Sequence, residues 1–302
     1  MANEPTVVGL GEILWDLLPS GRQLGGAPAN FAYSSHILGN RGVIASRVGD
    51  DQLGEDIRDV LKKAKIDDRF LQRDSSHPTG TVNVEIDNTG QPRFEITQPV
   101  AWDFLEWTGE WRELAQSADA VCFGTLAQRS AESHTTILQF LKATRPTVLR
   151  IFDVNLRQQF YSREIIRESL TQANVVKLNN DEVPKVAELF GINIGSEASF
   201  ARSLMKQFNL KLVSVTRGAR GSLLCNESQV DEHLGFRTTV KDTIGAGDAF
   251  TAGLVYAVLH GRPLPEINDL ANRMGAWTAS NSGGMPEAPK EGIRNALQNF
   301  AQ

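Results

Sequence analysis

Lys241-Asp242-Thr243-Ile244-Gly245-Ala246-Gly247-Asp248-Ala249-Phe250 is the stretch whose reading decides the fold. It follows Phe236–Val240, which reads as a strand, and it opens an apolar run that reads as a helix to about His260. The small residues at 245–247 let backbone N–H groups converge without obstruction from side chains. At a helix N-terminus those groups and the macrodipole together attract an anion. Asp248, in the first turn, places a carboxylate beside that anion. Carboxylates also favour this position as helix caps. A cap needs no preceding Gly-Ala-Gly, whereas a hydroxyl that attacks a phosphate needs both the small-residue loop and a base. The residues of this stretch alone leave both readings open.

Outward from this joint the chain alternates. Short β-branched runs at Thr6–Leu10, Val43–Val48, Ala120–Phe123, Thr147–Val154, Val175–Leu178 and Lys211–Thr216 are separated by stretches of helical period. Ala131–Ala143, Glu164–Ala173 and Glu197–Phe208 are the clearest helices. Such alternation predicts βαβ units, a largely parallel sheet and helices on both of its faces. Ligands of such sheets sit outside the carboxyl ends of the strands. Gly80–Thr97 breaks the pattern: GTVNVEIDNTGQPRFEIT alternates with period two on either side of Asp87-Asn88-Thr89-Gly90. That predicts a β-hairpin, projecting as a flap; an antiparallel edge on the main sheet is the alternative. One large α/β domain over 1–302, with a small β lid from about 12–24 and 79–100, is the expected organisation.

Composition removes several classes of function. With 31 Lys and Arg against 36 Asp and Glu, the net charge is −5 and no basic run exists, so nucleic acid and membrane surfaces are not expected partners. The longest uncharged apolar stretch, Ala249–Gly261, is too short for a bilayer span of about 20 residues. The N-terminal MANEPTVVGLGEILWDLL lacks a basic n-region and carries Glu4, Glu12 and Asp16, unlike a signal peptide. Cys122 and Cys225, the only cysteines, sit in apolar strand-like runs and read as buried thiols. A cytoplasmic location is expected. Gly9-Leu10-Gly11 begins a G-x-G-x-x-G, but Leu14 holds the third position, which breaks the dinucleotide fingerprint. No Gly-Lys pair supplies a P-loop, D-F-G and H-R-D are absent, and no histidine has metal-ligand spacing.

A second glycine-rich segment, Leu24-Gly25-Gly26-Ala27-Pro28-Ala29-Asn30-Phe31-Ala32, precedes a helix to about Leu38. Two glycines admit close backbone approach, and Asn30 offers both donor and acceptor to hydroxyls. Together with Asp242–Asp248, and with Asn179-Asn180-Asp181-Glu182 as an N-x-x-E element, this chain resembles the ribokinase-like sugar kinases, which include the B-type phosphofructokinases. The resemblance covers essentially the whole chain. It implies a three-layer α/β/α fold with a β lid, and ATP and Mg²⁺ as cofactors, with room for a monovalent cation such as K⁺. It implies Asp248 as the base toward the sugar hydroxyl, with Gly245, Ala246 and Gly247 as the anion hole. A helix N-terminus is not expected to raise the pKa of that base. Asn179 and Glu182 match residues that hold Mg²⁺ largely through water; a polar helix start is the bland alternative. Asp16, Gly25, Gly26 and Asn30 match acceptor-binding positions. Asp153-Val154-Asn155-Leu156-Arg157 resembles the D-x-N-x-R of the fructokinase branch, which implies acceptor or phosphate contacts for Asn155 and Arg157. Arg157 as an ordinary solvated cation is the alternative. Thr216, Gly218 and Gly221 match a strand–turn–strand under the nucleotide, and Asn272 a position near the adenine. Arg93, on the flap, is a further substrate-side candidate, and a homodimer through the lid is a further expectation.

The wording GGAPANFA and D-x-N-x-R look most like bacterial fructokinases, which implies fructose as acceptor. Gln98-Pro99-Val100-Ala101-Trp102-Asp103, at the flap's exit, departs from the Arg-containing stretch of many fructokinases. That leaves 2-keto-3-deoxygluconate as the nearest rival and an adenosine-type nucleoside kinase as a more distant one. A sugar- or nucleotide-binding regulator without catalysis is the reading from a different class. A pure binder gains nothing from Asp248 beside a triphosphate, which argues against it.

Overall fold

The computed structural model describes residues 4–18, 21–86 and 92–298, with backbone alone at 84–86 and 92–94. The hairpin turn Asp87–Gly90 and the side chain of Arg93 therefore lie outside the described residues. The strands in chain order are β1 (Thr6–Leu10), β2 (Leu14–Leu18), β3 (Gly21–Gly25), β4 (Arg41–Gly49), β5 (Leu71–Asp74), β6 (Gly80–Ile86), β7 (Pro92–Ile96), β8 (Ala120–Phe123), β9 (Leu149–Asp153), β10 (Val175–Asn179), β11 (Leu212–Thr216), β12 (Ser222–Asn226) and β13 (Val230–His233). The helices are α1 (Ala27–Ile37), α2 (Gln52–Lys63), α3 (Gly109–Ser117), α4 (Ala131–Ala143), α5 (Arg163–Gln172), α6 (Glu182–Phe190), α7 (Glu197–Phe208), α8 (Ala246–Leu259), α9 (Leu264–Ala279) and α10 (Ile293–Gln298).

Nine strands form one sheet in the order β13-β12-β11-β10-β9-β8-β1-β4-β5. Pairing is parallel from β11 through β5 and antiparallel for β11–β12 and β12–β13. Period-two alternation sends successive side chains to opposite faces. Val7, Cys122, Ile151, Val175 and Leu212 enter a core with Phe31, Phe250 and Met274 of α1, α8 and α9. Their neighbours Val8, Val121, Phe152, Val176 and Val213 enter the opposite core with Phe140, Leu170 and Phe200 of α4, α5 and α7. Three layers, α/β/α, are the result. Helix α8 is apolar all round because it is enclosed; Gly253 lets it lie against the backbone of α9, where an added Cβ would meet Ala271 Cα at 3.0 Å.

The hairpin does not edge the main sheet. β6 and β7 join β2 and β3 in a separate four-stranded sheet, β3-β2-β6-β7, mixed because β2 and β6 run parallel. β2 and β3 leave the body just after β1 and return at α1, and β6 and β7 leave it after β5 and return before Ala101. The strand order reverses between β1 and β8, since the chain goes from β1 outward to β4 and β5 and comes back to β8. That switch point is where the carboxyl-end loops part and make a crevice.

One expected strand is not there. Phe236–Val240 is irregular, and the strand lies earlier, as β13. Pairing ends at Gly235, whose φ of +81° turns the chain over Gly221; a Cβ there would meet Gly221 N at 3.0 Å. Phe236 instead packs its ring on His233, 4.9 Å between centroids.

Candidate active site

The anion loop is built as a tight turn. Gly245 caps α8 with φ +73°, a left-handed conformation that glycine adopts freely. A side chain there has no space, since a Cβ would lie 2.5 Å from Gly284 Cα. Asp242 fixes the loop from outside: Oδ1 accepts the Ile244 N–H at 3.0 Å and Oδ2 the Gly283 N–H at 3.0 Å. Ala246, Gly247 and Asp248 open the helix, where N–H groups have no intrahelical acceptor; that of Ala246 makes a long bond, 3.3 Å, to Thr243 O.

Asp248 does not cap its helix, which has no side-chain cap. Its Oδ2 accepts from Asn30 Nδ2 at 2.9 Å, joining the two glycine-rich segments across 218 residues. Asp248, Asp153, Asn155, Pro28, Cys122 and Gly124 line one small cleft at the switch point. Behind the loop, Lys177 donates to both carboxylate oxygens of Asp153 at 3.0 Å, and its Nζ lies 3.1 Å from where a Gly247 Cβ would be. Withdrawal from water pushes Asp248 up to about 6, and Asp153 adds to the rise; Lys177, the Asn30 hydrogen bond and Arg157 oppose it. The expectation of an unraised base fails here. Removal of the carboxylate from water outweighs the first-turn N–H groups.

On the other side of the cleft, Asp16 sits in β2 opposite Gln23 of β3, with its Oδ2 against the Cβ-free face of Gly25. Burial raises Asp16 to about 6, Arg157 opposing and Asp242 adding. Gly26, at φ +104°, brings the acceptor segment against the Glu12 carbonyl, 2.6 Å from where its Cβ would be. Asn155 holds a left-handed φ of +42° at the end of β9, and its carbonyl accepts from Thr125 Oγ1 at 3.2 Å. Arg157 is exposed and makes no ion pair with any described residue, while its charge acts on Glu12, Asp16 and Asp248.

Asn179 and Glu182 hold each other's turn. Asn179 Oδ1 accepts the N–H groups of Asp181 and Glu182 at 2.9 and 3.0 Å; Glu182 accepts from Asn179 N and Leu156 N, both at 2.8 Å. Among the described residues no three His, Cys, Asp or Glu groups gather as a metal cage. Each Glu182 oxygen accepts one bond and keeps a lone pair, whereas Asn179 Oδ1 spends both of its own on the turn. The carboxylate is therefore the group that fits Mg²⁺ retaining its waters and leaning on phosphates, with Asn179 fixing its place. Thr216 ends β11, Gly218 starts the 3-10 turn Gly218–Arg220, and Gly221 precedes β12, so the expected strand–turn–strand is present. Asn272 is buried on α9, and its amide donates to Ser222 Oγ, Asn268 O and Asn268 Oδ1 at 2.8–3.0 Å. Those bonds brace β12 and leave no amide hydrogen for a base.

Glu12, Asp153 and Lys177 belong to this site and carried no role in the sequence reading. Glu12 is 3% exposed between β1 and β2, and its Oε2 has no hydrogen-bond partner among the described residues. Burial raises it to about 7, against the N–H groups of Glu12 and Ala27 and the charge of Arg157. Its place at the carboxyl end of β1 was the available signal.

With this geometry in hand, comparison places the chain. The profile of the pfkB family carbohydrate kinases matches residues 21–291. The chain belongs to that family. It is a sugar kinase, a phosphotransferase acting on an alcohol group. A fructokinase from Escherichia coli is 32% identical over 305 residues, covering 93% of this chain and 95% of that one. Among solved structures, the fructokinase of Vibrio cholerae O395 with fructose, ADP and calcium ion matches at a TM-score of 0.81 and 25% identity, over 99% of each chain. An uncharacterized sugar kinase from Pyrococcus horikoshii in complex with ATP matches at 0.77 and 26%, over 93% of each chain. No helix among the described residues is long and apolar enough to cross a membrane.

Proposed function

We propose that this sugar kinase uses ATP to phosphorylate fructose at its 6-hydroxyl, with Asp248 as the base. The observation that carries the mechanism is the 2.9 Å bond from Asn30 to Asp248 Oδ2 at the mouth of the anion loop. It holds one oxygen and leaves Oδ1, which has no hydrogen bond among the described residues, for the attacking hydroxyl. Nucleotide with Mg²⁺, when bound, supplies the phosphoryl group. The N–H groups of Gly245, Ala246 and Gly247 face the charge that develops on it, backed by the buried Lys177 ammonium. Transfer depends on positioning and electrostatics more than on strong basicity, so a base of pKa about 6 is ionised and adequate at neutral pH.

Asp16, Gly25, Gly26, Asn30 and Asn155 hold the acceptor's hydroxyls, Arg157 reaches the acceptor with its guanidinium and meets the phosphate formed on it, and Arg93 belongs to the closing lid. Glu182 holds Mg²⁺ through water with Asn179 setting its turn, and Thr216, Gly218 and Gly221 underlie the nucleotide, with Asn272 shaping that wall from behind. A K⁺ requirement, a homodimer through the lid and a cytoplasmic setting complete the proposal. The fructokinases among the relatives support fructose. Arg157, exposed and without an ion pair among the described residues, favours a second reading, 2-keto-3-deoxygluconate, because it suits a carboxylate equally. A coupled ADP-release assay over fructose, 2-keto-3-deoxygluconate, ribose and adenosine tests the choice. Fructose should give the highest kcat/KM. A tenfold lead for 2-keto-3-deoxygluconate, about 1.4 kcal/mol of transition-state preference, would replace it, and sugar binding without turnover would favour the regulator.

A further inference from the structure

Arg129 stands at the end of the 3-10 turn Leu126–Gln128 that follows β8, at the same edge of the sheet as the cleft. We propose that Arg129 is a positioning residue that locks the exit of the small sheet to the turn carrying Arg157, and so governs acceptor affinity without governing nucleotide affinity. The inference rests on the sugar-kinase reading above and deepens its acceptor side.

Three segments distant in sequence meet on this one guanidinium, whose side chain is 4% exposed. Its Nε donates to Asp103 Oδ1 at 2.7 Å and its Nη2 to Asp103 Oδ2 at 2.8 Å, a bidentate pairing. Nη2 also donates to Thr97 O at 2.7 Å. Thr97 leaves β7 and is tied back to β6, its N–H to Thr81 O at 3.0 Å and its hydroxyl to that of Thr81 at 2.8 Å. The guanidinium carbon lies over the Trp102 ring, 4.0 Å from its centroid, and over the Phe160 ring, 4.9 Å from its centroid. Phe160 in turn donates its N–H to Arg157 O at 3.0 Å. Movement of the lid exit is thereby transmitted to the backbone of Arg157. Lysine could not substitute, since an ammonium has neither the planar faces nor the fork.

Two donors in this stack are unspent: Arg129 Nη1 and Trp102 Nε1 are buried without acceptors among the described residues. Trp102 Nε1 rests in the place a Gly80 side chain would fill. Gly80 pairs with Leu14, and Leu14 with Gly25, against which the Asp16 carboxylate lies. The Trp102 donor thus sits at the base of the small sheet, two strands from the proposed acceptor position. Unpaired buried donors are rare and costly.

The test uses the full chain, with fructose or whichever sugar of the panel is phosphorylated fastest. Arg129→Lys keeps the charge and loses fork and stacking; Arg129→Gln combined with Asp103→Asn removes the pair without leaving a buried charge. In both, acceptor KM should rise tenfold or more while ATP KM and kcat stay within threefold. Amide exchange should quicken together over 97–103 and 157–160, even without ligand. A parallel rise in both KM values, or an acceptor KM within twofold of wild type in a folded variant, overturns the proposal. If the wild-type chain turns over no sugar, the function reading fails by itself. The exchange experiment then still decides the coupling, which is refuted if the two segments respond independently.

Discussion

Replacing Glu12 with glutamine should stabilise the ligand-free protein, and should do so increasingly as pH rises. Glu12 is raised from 4.5 to about 7 by burial. A carboxyl whose folded pKa exceeds its unfolded value takes up a proton on folding between the two. Its contribution is therefore fully favourable below about 4.5 and is lost as pH climbs through about 7. At 1.36 kcal/mol per pKa unit, the ionised form is penalised by about 3 kcal/mol once both states are deprotonated. Between pH 5 and pH 8, wild type should lose about 2.5 kcal/mol from this one group. Glutamine resembles the neutral acid in size and cannot ionise. Urea unfolding of both proteins at the two pH values, read as the difference between them, cancels every other titrating group. That difference should shift in favour of the variant by about 2.5 kcal/mol from pH 5 to pH 8. A difference constant to within about 0.5 kcal/mol would show that Glu12 is already ionised and paired, and would refute the burial argument.

Three further outcomes follow from the same site. The kcat/KM profile should fall on the acid side with an apparent pKa near 6, because Asp16 and Asp248 both lie there and act deprotonated; a flat profile down to pH 4.5 would contradict it. Gly245→Ala should lower kcat at least a hundredfold, since a Cβ would lie 2.5 Å from Gly284 Cα and the φ of +73° resists a side chain; steady-state kinetics with a thermal melt separates this from unfolding. Asp16→Asn should raise acceptor KM tenfold or more and leave ATP KM within twofold, and equal changes in both would remove Asp16 from the acceptor side.

The sheet and the anion loop were legible because their signals are local. β-branched runs with period two gave β1 and β8 at their observed bounds, and helical periodicity did the same for α4 and α7. Gly-Ala-Gly-Asp marked a candidate anion loop by itself, and the second local segment, Leu24–Ala32, decided between that and a helix cap. What escaped depends on contacts between distant segments. The irregular path of Phe236–Val240 is set by Gly235 turning over Gly221, which no local pattern announces. The raised Asp248 reflects enclosure by Asp153 and the surrounding cleft, whereas its sequence neighbourhood speaks only of helix N-terminus. Glu12 looked like an ordinary N-terminal charge until β1 and β2 closed around it. Arg129 reads as one cation among 31 Lys and Arg, and only folding brings Thr97, Asp103 and Phe160 to it.

The central claim is that Asp248 takes the proton of the attacking hydroxyl, and the kcat of Asp248→Asn measures it most directly. Asn30 Nδ2 donates to Oδ2 at 2.9 Å, and the substituted amide keeps this bond by turning its oxygen toward Asn30 and its NH₂ toward the acceptor. That group cannot receive a proton. Folding should survive, since the carboxylate caps no helix and its raised pKa makes it a mild liability at neutral pH. The expected result is a fall in kcat by about 10²–10⁴, the usual worth of a general base, with ATP KM unchanged or slightly lower. A folded variant that turns over within a few-fold of wild type would contradict the account.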